Sequence, residues 1–218
     1  MHSEELLLSI SIKVFPFGLL RSNVYLVFDE ETKEAVIIDA GGGTEYVLRE
    51  VRKGDLKLKY ILLTHGHFDH IFELKDMKEA LRTESFIHKK DLQMIEILWD
   101  SGLSIFGIKM PKPKVDRCFD GEPSFSIGSQ IVKAIHTPGH TPGSVCYFLP
   151  NANVLFTGDT LFQGSIGRTD LPGGDPSAME KSLKKLLSLG GDVVIYPGHG
   201  SKTTMGREKR TNPFLSVI

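Results

Sequence analysis

The sequence has few cysteines, no long apolar run and no excess of charge of either sign. Its two cysteines, Cys118 and Cys146, form no C-x-x-C pattern, so we expect two reduced thiols rather than a disulfide framework or a thiolate metal site. No apolar run approaches the roughly 20 residues that a membrane helix needs. A formal net charge of −1 over 218 residues provides no basic field that would attract a nucleic-acid backbone.

The N-terminus also lacks the features of a secretory signal. Residues 1–14 contain no basic region and no small-residue cleavage site, and the cluster Leu6-Leu7-Leu8 is too short for an apolar signal core. An apolar content of 40% and a charged content of 24% are those of an ordinary globular protein. We therefore expect a cytoplasmic protein with one domain over residues 1–218 and with no nucleic-acid or membrane partner.

The hydrophobic pattern predicts two batches of short strands, each followed by helices. The first batch covers residues 6–15, 24–28, 35–39, 57–64 and 84–88, and the second covers 124–127, 130–136, 144–149, 154–157 and 193–196. Helices are predicted over 44–53 with Thr44 as the N-cap, and over 70–82, 89–99 and 175–189. This arrangement favours two similar halves whose sheets pack face to face with the helices outside.

Residues 101–114 have weak periodicity and contain several glycines and prolines. Trp99, Ile105, Phe106 and Ile108 therefore have two alternative roles. They line a substrate entrance on a mobile flap, or they are the apolar side of an ordinary surface loop.

A cluster of metal-capable side chains follows the predicted strand 57–64. In Thr64-His65-Gly66-His67-Phe68-Asp69-His70, four such side chains fall within six residues. Imidazole and carboxylate together suit zinc, iron or manganese. Burying such groups unpaired costs about 1–3 kcal/mol each, whereas a bound metal supplies partners for all of them. The run therefore predicts a metal site at the end of a strand.

Three later strand ends each place one more potential ligand beside glycine. They are Thr137-Pro138-Gly139-His140, Thr157-Gly158-Asp159-Thr160 and Tyr196-Pro197-Gly198-His199-Gly200. Glycine lets the backbone turn sharply and approach a ligand closely, and functional side chains concentrate in loops at strand ends. The four signals together predict one metal centre assembled from distant parts of the chain.

This order of motifs resembles the metallo-β-lactamase superfamily over nearly the whole chain. The resemblance implies an α+β fold, a four-layer αββα sandwich with the metals at one edge of the two sheets. It implies one divalent ion held by His65, His67 and His140, and a second held by Asp69, His70 and His199. Asp159 would bridge the two ions, because a shared carboxylate lets two cations sit about 3.5–4 Å apart. Zinc is the expected metal, with iron or manganese as alternatives.

Within that superfamily the chain looks most like glyoxalase II, the hydroxyacylglutathione hydrolases. The likeness is carried by His140-Thr141-Pro142-Gly143-Ser144, Gly158-Asp159-Thr160-Leu161-Phe162, Gly167-Arg168-Thr169-Asp170 and Thr211-Asn212-Pro213-Phe214. It is closest to the short, single-domain bacterial type, because few residues follow His199. The helical C-terminal domain that helps two-domain relatives bind glutathione has no counterpart here. We therefore expect weak dependence on the glutathione part of a substrate.

The resemblance implies hydrolysis of S-D-lactoylglutathione, or of a similar 2-hydroxyacyl thioester, to an acid and a free thiol. A hydroxide between the ions would attack the acyl carbon, with Asp69 and Asp159 as the catalytic carboxylates. The leading alternative is a persulfide dioxygenase with one iron on His65, His140 and Asp159. A lactone or lactam hydrolase, a nuclease and a non-catalytic binding protein are further alternatives, although no ligand position has been lost.

Other polar residues near these motifs have open roles. Arg168 either holds a substrate carboxylate bidentately or forms a loop-fixing ion pair with Asp170 or Asp175. His136 is expected to pack near His140 rather than to bind a metal. The basic residues of the C-terminal segment form either a solvated face or a complement to an anionic thiol; they are Lys202, Arg207, Lys209 and Arg210.

Overall fold

The computed structural model describes residues 10–190 and 192–216, and the predicted start of the first strand at 6–9 lies outside them. Sheet 1 contains, in spatial order, β1 (Ile10–Phe17), β2 (Ser22–Asp29), β3 (Glu34–Ile38), β4 (Lys57–Leu62), β5 (Glu84–His88) and β6 (Arg117–Phe119). Sheet 2 has the spatial order β14-β13-β10-β9-β8-β7. Its strands are β7 (Ser124–Ile127), β8 (Gln130–His136), β9 (Val145–Leu149), β10 (Val154–Gly158), β13 (Val194–Pro197) and β14 (Thr203–Thr204).

A two-stranded hairpin and six helices complete the described part of the chain. The hairpin is formed by β11 (Leu161–Phe162) and β12 (Ser165–Ile166). The helices are α1 (Thr44–Gly54), α2 (Phe68–Ile71), α3 (Leu74–Leu81), α4 (Lys89–Ser104), α5 (Pro176–Leu187) and α6 (Met205–Thr211). No described helix is both long and apolar enough to cross a bilayer.

Each sheet is buried on both faces, as β2 illustrates. Successive side chains of a strand point to opposite faces. Val24 and Leu26 therefore enter the core between sheet 1 and helices α1 to α4, whereas Tyr25 and Val27 enter the core between the two sheets. A third core lies between sheet 2 and the helices α5 and α6. The expected four-layer αββα architecture is confirmed.

Parallel strand pairs bring four functional loops to one edge of the sandwich. β3 and β4 are parallel neighbours in sheet 1, and β10 and β13 are parallel neighbours in sheet 2. Their carboxyl ends therefore meet at the same edge of each sheet. Backbone hydrogen bonds join the two sheets there, from Asn23 N–H to Gly198 O at 2.7 Å and from Val145 N–H to Thr64 O at 2.8 Å.

The N-cap of the first predicted helix and the continuity of the second predicted helix are wrong. Thr44 is not the N-cap of α1, because Gly43 takes that position with a φ of 78° and the Thr44 N–H donates to Glu73 Oε2. The predicted helix 70–82 is split into α2 and α3. The split arises because Ala40 pairs with this segment, donating to His70 O and accepting from Glu73 N–H.

The predicted helix 89–99 is longer than expected. It continues as α4 to Ser104, because Trp99 and Leu103 bury the same face one turn apart. The first part of the predicted loop 101–114 is therefore helical. The pattern also missed the short strand β6 and the charged helix α6, which are too short to give a clear hydrophobic period.

Candidate metal centre

All seven predicted ligand residues lie together at the edge where the four loops meet. The ligand atoms form three sets, and within each set all of the atoms lie within 4.8 Å of one another. The sets are His65, His67 and His140; His65, His70 and Asp159; and Asp69, His70 and His199. The first and third sets are the two that the resemblance implied. The middle set shares His65 with the first and His70 with the third, and it adds Asp159.

The first set is a buried cluster of three imidazole rings. His65 and His67 follow β4, and His140 follows β8. His140 Nε2 lies 2.8 Å from His67 Nδ1, and the rings of His65 and His140 have centroids 4.9 Å apart. Ring nitrogens from distant loops thus converge on one point, which is the arrangement of a three-histidine metal site.

The second set mixes carboxylate and imidazole. Asp69 and His70 belong to the short helix α2, and His199 follows β13. His199 Nε2 lies 3.2 Å from Asp69 Oδ2 and 3.2 Å from His70 Nε2. This set is harder in ligand character than the first, because an oxygen replaces one nitrogen.

Asp159 reaches both sets with its two carboxylate oxygens. Its Oδ1 lies 3.4 Å from His70 Nε2, and its Oδ2 lies 3.5 Å from His140 Nε2. The side chain is only 12% exposed. A carboxylate in this position suits a bridge between two cations.

The donor atoms fit divalent cations. Among the described residues, no hydrogen-bond partner faces Nε2 of His65 or Oδ1 of Asp159, although both atoms are buried. Burial, together with the neighbouring histidines, lowers the pKa of His65 well below its usual value and that of His67 to about 4. Both rings are therefore neutral at neutral pH, and a neutral imidazole offers the lone pair that a metal needs.

The carboxylates around His70 favour a positive charge there. Burial alone would lower the pKa of His70, but Asp69, Asp159 and Asp39 raise it well above its usual value. Burial alone would raise the pKa of Asp159, but His70 and the other histidines bring it below its usual value. Asp69 and Asp159 thus stay ionised. A divalent cation compensates their negative charge as a protonated His70 would.

Outer hydrogen bonds fix the orientation of the histidine rings. Asp39 Oδ2 lies 2.8 Å from His70 Nδ1, and Asp39 Oδ1 accepts from Thr64 N–H at 2.7 Å. His140 Nδ1 lies 2.8 Å from the backbone oxygen of Arg168. In each case one ring nitrogen is held so that Nε2 faces the centre. The sequence did not reveal Asp39 as a functional residue, although it follows β3, the parallel neighbour of β4.

Asp91 is a second functional residue that sequence reasoning missed. It is buried in the first turn of α4. It accepts hydrogen bonds from Gly66 N–H at 2.7 Å, from Gly143 N–H at 2.5 Å and from Thr141 Oγ1 at 2.7 Å. One carboxylate therefore ties the loop that carries His65 and His67 to the loop that carries His140. No sequence motif indicated that Asp91 connects these two loops, because Asp91 lies in a helix that is far from both of them along the chain.

Gly198 is required by the closeness of the loops. A Cβ atom there would overlap Asp159 Oδ1 and lie 2.8 Å from His70 Cε1. The predicted role of glycine beside the ligands is confirmed at this position, because only a residue without a side chain lets β13 approach β10 so closely.

A cavity of about 750 Å³ opens onto the centre. His67, Asp69, His140, Asp159 and His199 line its floor, while Ile105 and Phe106 stand among its apolar walls. Of the residues proposed for a substrate entrance, these two lie at the cavity. Trp99 is buried and donates from Nε1 to Met110 O, and Ile108 packs against the core.

Arg168 lines the same cavity, and it also forms the alternative ion pair. Its Nε and one terminal nitrogen donate to the two oxygens of Asp170 at 2.8 and 2.7 Å. The pair is well exposed, at 62% and 69%, so its contribution to stability is small. Its role in substrate binding stays a prediction.

His136 and His88 lie beside the centre and serve packing. Their rings are stacked with centroids 4.3 Å apart, and His136 Nε2 lies 2.9 Å from Pro142 O. His88 Nδ1 accepts from Lys90 N–H at the start of α4. Neither residue belongs to a set of ligand atoms, which agrees with the expected packing role of His136.

The fold and the site together define a metal-dependent enzyme with its centre at the edge of an αββα sandwich. The family model of the metallo-beta-lactamase superfamily matches residues 17–199. The chain is 40% identical over 215 residues to the hydroxyacylglutathione hydrolase GloC of Haemophilus influenzae, which covers 94% of this chain and 98% of that protein. The chain therefore belongs to the metallo-beta-lactamase superfamily and is a metallo-hydrolase.

Solved structures agree with this assignment. The BLEG-1 B3 metallo-beta-lactamase superposes with a TM-score of 0.87 at 37% identity, covering 94% of this chain and all (100%) of that one. The protein TTHA1623, solved in a di-iron-bound form, superposes with a TM-score of 0.80 at 41% identity, covering 93% and 100% of the two chains. The glyoxalase II-like character expected from the sequence is confirmed by the likeness to GloC.

We predict that Asp159→Ala loses at least one metal ion per chain and most of the activity, because the carboxylate faces both sets of ligands. Elemental analysis of the purified variant and the parent protein measures this. Asp100→Ala is the control, since Asp100 is exposed on α4, and it should keep the metal content of the parent. An active parent protein with one metal per chain would contradict the two-ion arrangement.

We predict that Asp91→Asn lowers both metal affinity and stability, because an amide offers one acceptor oxygen where three donors converge. One unsatisfied buried donor costs about 1–3 kcal/mol. Chelator competition measures the metal affinity, and urea unfolding of the metal-free protein measures the stability. Asp100→Asn on the same helix should change neither quantity. Equal metal affinity in Asp91→Asn and the parent would show that Asp91 does not position the ligand loops.

Proposed function

We propose that this protein is a metal-dependent thioester hydrolase that acts on S-D-lactoylglutathione or on a similar 2-hydroxyacyl thioester. The observation that carries the proposal is the assembly of two complete ligand sets around Asp159. The likeness to GloC, a hydroxyacylglutathione hydrolase, over nearly the full length of both chains supports the substrate class.

Two divalent ions are part of this proposal. His65, His67 and His140 would hold the first, Asp69, His70 and His199 would hold the second, and Asp159 would be shared. The di-iron form of TTHA1623 supports this number of ions. Zinc is the proposed metal, with iron or manganese as alternatives. Bound cations of this kind supply Lewis acidity and lower the pKa of a water molecule to about 7.

Asp69 is the residue that orients the attacking water. Burial would raise its pKa, but His70 and His199 bring the pKa below its usual value. The carboxylate is therefore ionised at neutral pH and lies at the cavity floor, where it can accept a hydrogen bond from the attacking water. That water gives one proton to the solvent, and the resulting hydroxide attacks the acyl carbon and forms the new C–O bond.

Departure of the thiol then breaks the C–S bond. A thiol has a pKa of about 8.5, so the thiolate is a good leaving group without a strong general acid. No such acid is required among the residues of the cavity.

The proposed partner is a small-molecule thioester. A cytoplasmic location without nucleic-acid or membrane partners remains our prediction.

We predict that the metal-loaded protein releases a thiol from S-D-lactoylglutathione, and that a chelator abolishes the reaction. A thiol-reactive dye follows product formation, and re-addition of zinc, iron or manganese in separate samples identifies the metal that restores it. Oxygen consumption with glutathione persulfide is measured in parallel. If the thioesters are not hydrolysed and the protein consumes oxygen in an iron-dependent reaction, the hydrolase proposal is wrong and the mononuclear-iron persulfide dioxygenase takes its place.

We predict that Arg168→Ala raises KM for the thioester several-fold, because the guanidinium lines the cavity and donates hydrogen bonds to oxygen atoms of a bound substrate. Asp170→Ala is the matched control, since it breaks the same ion pair but leaves the guanidinium in place. A purely structural pair predicts the same KM change in both variants. Steady-state kinetics therefore separates the two roles.

A further inference from the structure

We infer that the preferred substrate joins a bulky apolar acyl group to an anionic thiol. The acyl group occupies the cavity above the metal centre, called here the apolar cavity. The anionic part of the thiol lies in a neighbouring cleft, called here the basic cleft, which contains Arg21 and Lys202. This inference rests on the proposed thioester hydrolysis and names its substrate class.

The walls of the apolar cavity are suited to a hydrocarbon group. They include Leu20, Phe68, Leu98, Ile105, Phe106 and Leu171. A cavity of about 750 Å³ lies in the range of about 300–1,000 Å³ that encloses a drug-sized ligand, so a three-carbon lactoyl group leaves most of it unfilled. The only charged wall residue outside the metal centre, Arg168, is already paired with Asp170 among the described residues.

The mouth of the apolar cavity exposes large apolar side chains. Ile105 is 79% exposed, Leu20 48% and Phe106 40%. The ring of Phe106 lies 5.8 Å from that of Phe68 deeper in the cavity. Exposed apolar side chains that adjoin an apolar cavity mark a binding site for an apolar group.

The basic cleft differs from the apolar cavity because two cations, Arg21 and Lys202, lie among its largely apolar and aromatic wall residues. It has a volume of about 830 Å³ and lies between β1, the turn after it and the loop that follows β13. Neither Arg21 nor Lys202 forms an ion pair with another residue in the described ranges 10–190 and 192–216. Lys202 Nζ lies 5.9 Å from the centre of the Tyr196 ring, which is within the range of a cation–π contact. Two cations without an ionic partner among the described residues favour an anionic ligand.

The two spaces meet at the metal centre. Leu20 and His199 line both of them. A thioester whose reacting carbon lies beside His199 therefore has its two ends in different surroundings. The carboxylates of a peptide-like thiol are unfavourable against the apolar walls, so the acyl group takes the apolar cavity and the thiol takes the basic cleft.

The length of the acyl chain gives a quantitative test. Burying one methylene group favours binding about fourfold, as the free energy of transfer per CH₂ implies. S-methyl-, S-butyl-, S-hexyl- and S-octylglutathione are stable thioethers that present an alkyl group in place of the acyl group. Calorimetric titration of the metal-loaded protein should show Kd falling with each methylene, by up to about fourfold, and an increasingly negative heat-capacity change.

Two pairs of variants assign the two ends of the ligand. Phe106→Ser should weaken S-octylglutathione much more than S-methylglutathione, whereas Ile97→Ser should weaken neither, since Ile97 is exposed on α4 away from the cavity. Lys202→Gln should weaken all four thioethers by a similar factor, and Lys209→Gln on α6 should not. A Kd that is independent of alkyl length, or of Phe106, would overturn the inference.

Kinetics with real thioesters separates this inference from the proposed function. Lactoyl-, butanoyl-, hexanoyl- and octanoylglutathione are compared by kcat/KM, and the inference predicts a rise with chain length. Hydrolysis of lactoylglutathione with a flat or falling series would leave thioester hydrolysis standing and overturn the apolar acyl preference. No hydrolysis of any member would overturn the proposed function itself. Sedimentation tests a further outcome. A parent protein that is a dimer and a Phe106→Ser variant that is a monomer would also overturn the inference, because the apolar mouth would then be an interface between copies.

Discussion

The pairing of the two sheets at one edge is the constraint on which the candidate site depends. Hydrogen bonds from Asn23 to Gly198 and from Val145 to Thr64 connect the two sheets where their strands end. Asn23 also donates from its side chain to Pro197 O at 2.9 Å, beside the loop that carries His199. These contacts set the distance between ligand loops that belong to different halves of the chain. Because the bonds are backbone-mediated and buried, they hold that distance with little freedom.

The polar groups at this edge form a connected system rather than a set of separate ligands. Asp39 holds His70 from one side, while Asp91 holds two loop backbones from the other. Networks of this kind are stable only when every member is satisfied, since an unpaired buried group is costly in a low-dielectric interior. Nε2 of His65 and Oδ1 of Asp159 lack partners among the described residues, and a cation would complete the network there.

Selectivity has a different physical origin from the chemistry. The metal-centre residues supply a generic hydrolytic site, which many substrates with an activated carbonyl can use. The apolar cavity and the basic cleft meet beside His199, and the cleft adds the cations Arg21 and Lys202; under our inference the two spaces therefore bind different ends of a substrate. Under the proposed thioester hydrolysis, residues outside the motifs, such as Phe106 and Lys202, would therefore decide which thioester is used.

The sequence by itself predicted the layered fold, which is confirmed, and the candidate ligand residues, which the structure brings together. The H-x-H-x-D-H run and the residues His140, Asp159 and His199 could be recognised in the sequence, because a strand end, a glycine and a candidate ligand lie together in the chain. Short apolar runs such as that of β2, which is buried along its whole length, made the two-sheet core predictable as well. Only the tertiary structure decided the role of Asp91, the break between α2 and α3 and the character of the two cavities. Each of these arises from contacts between residues far apart in sequence, and local propensity and periodicity carry no record of such contacts.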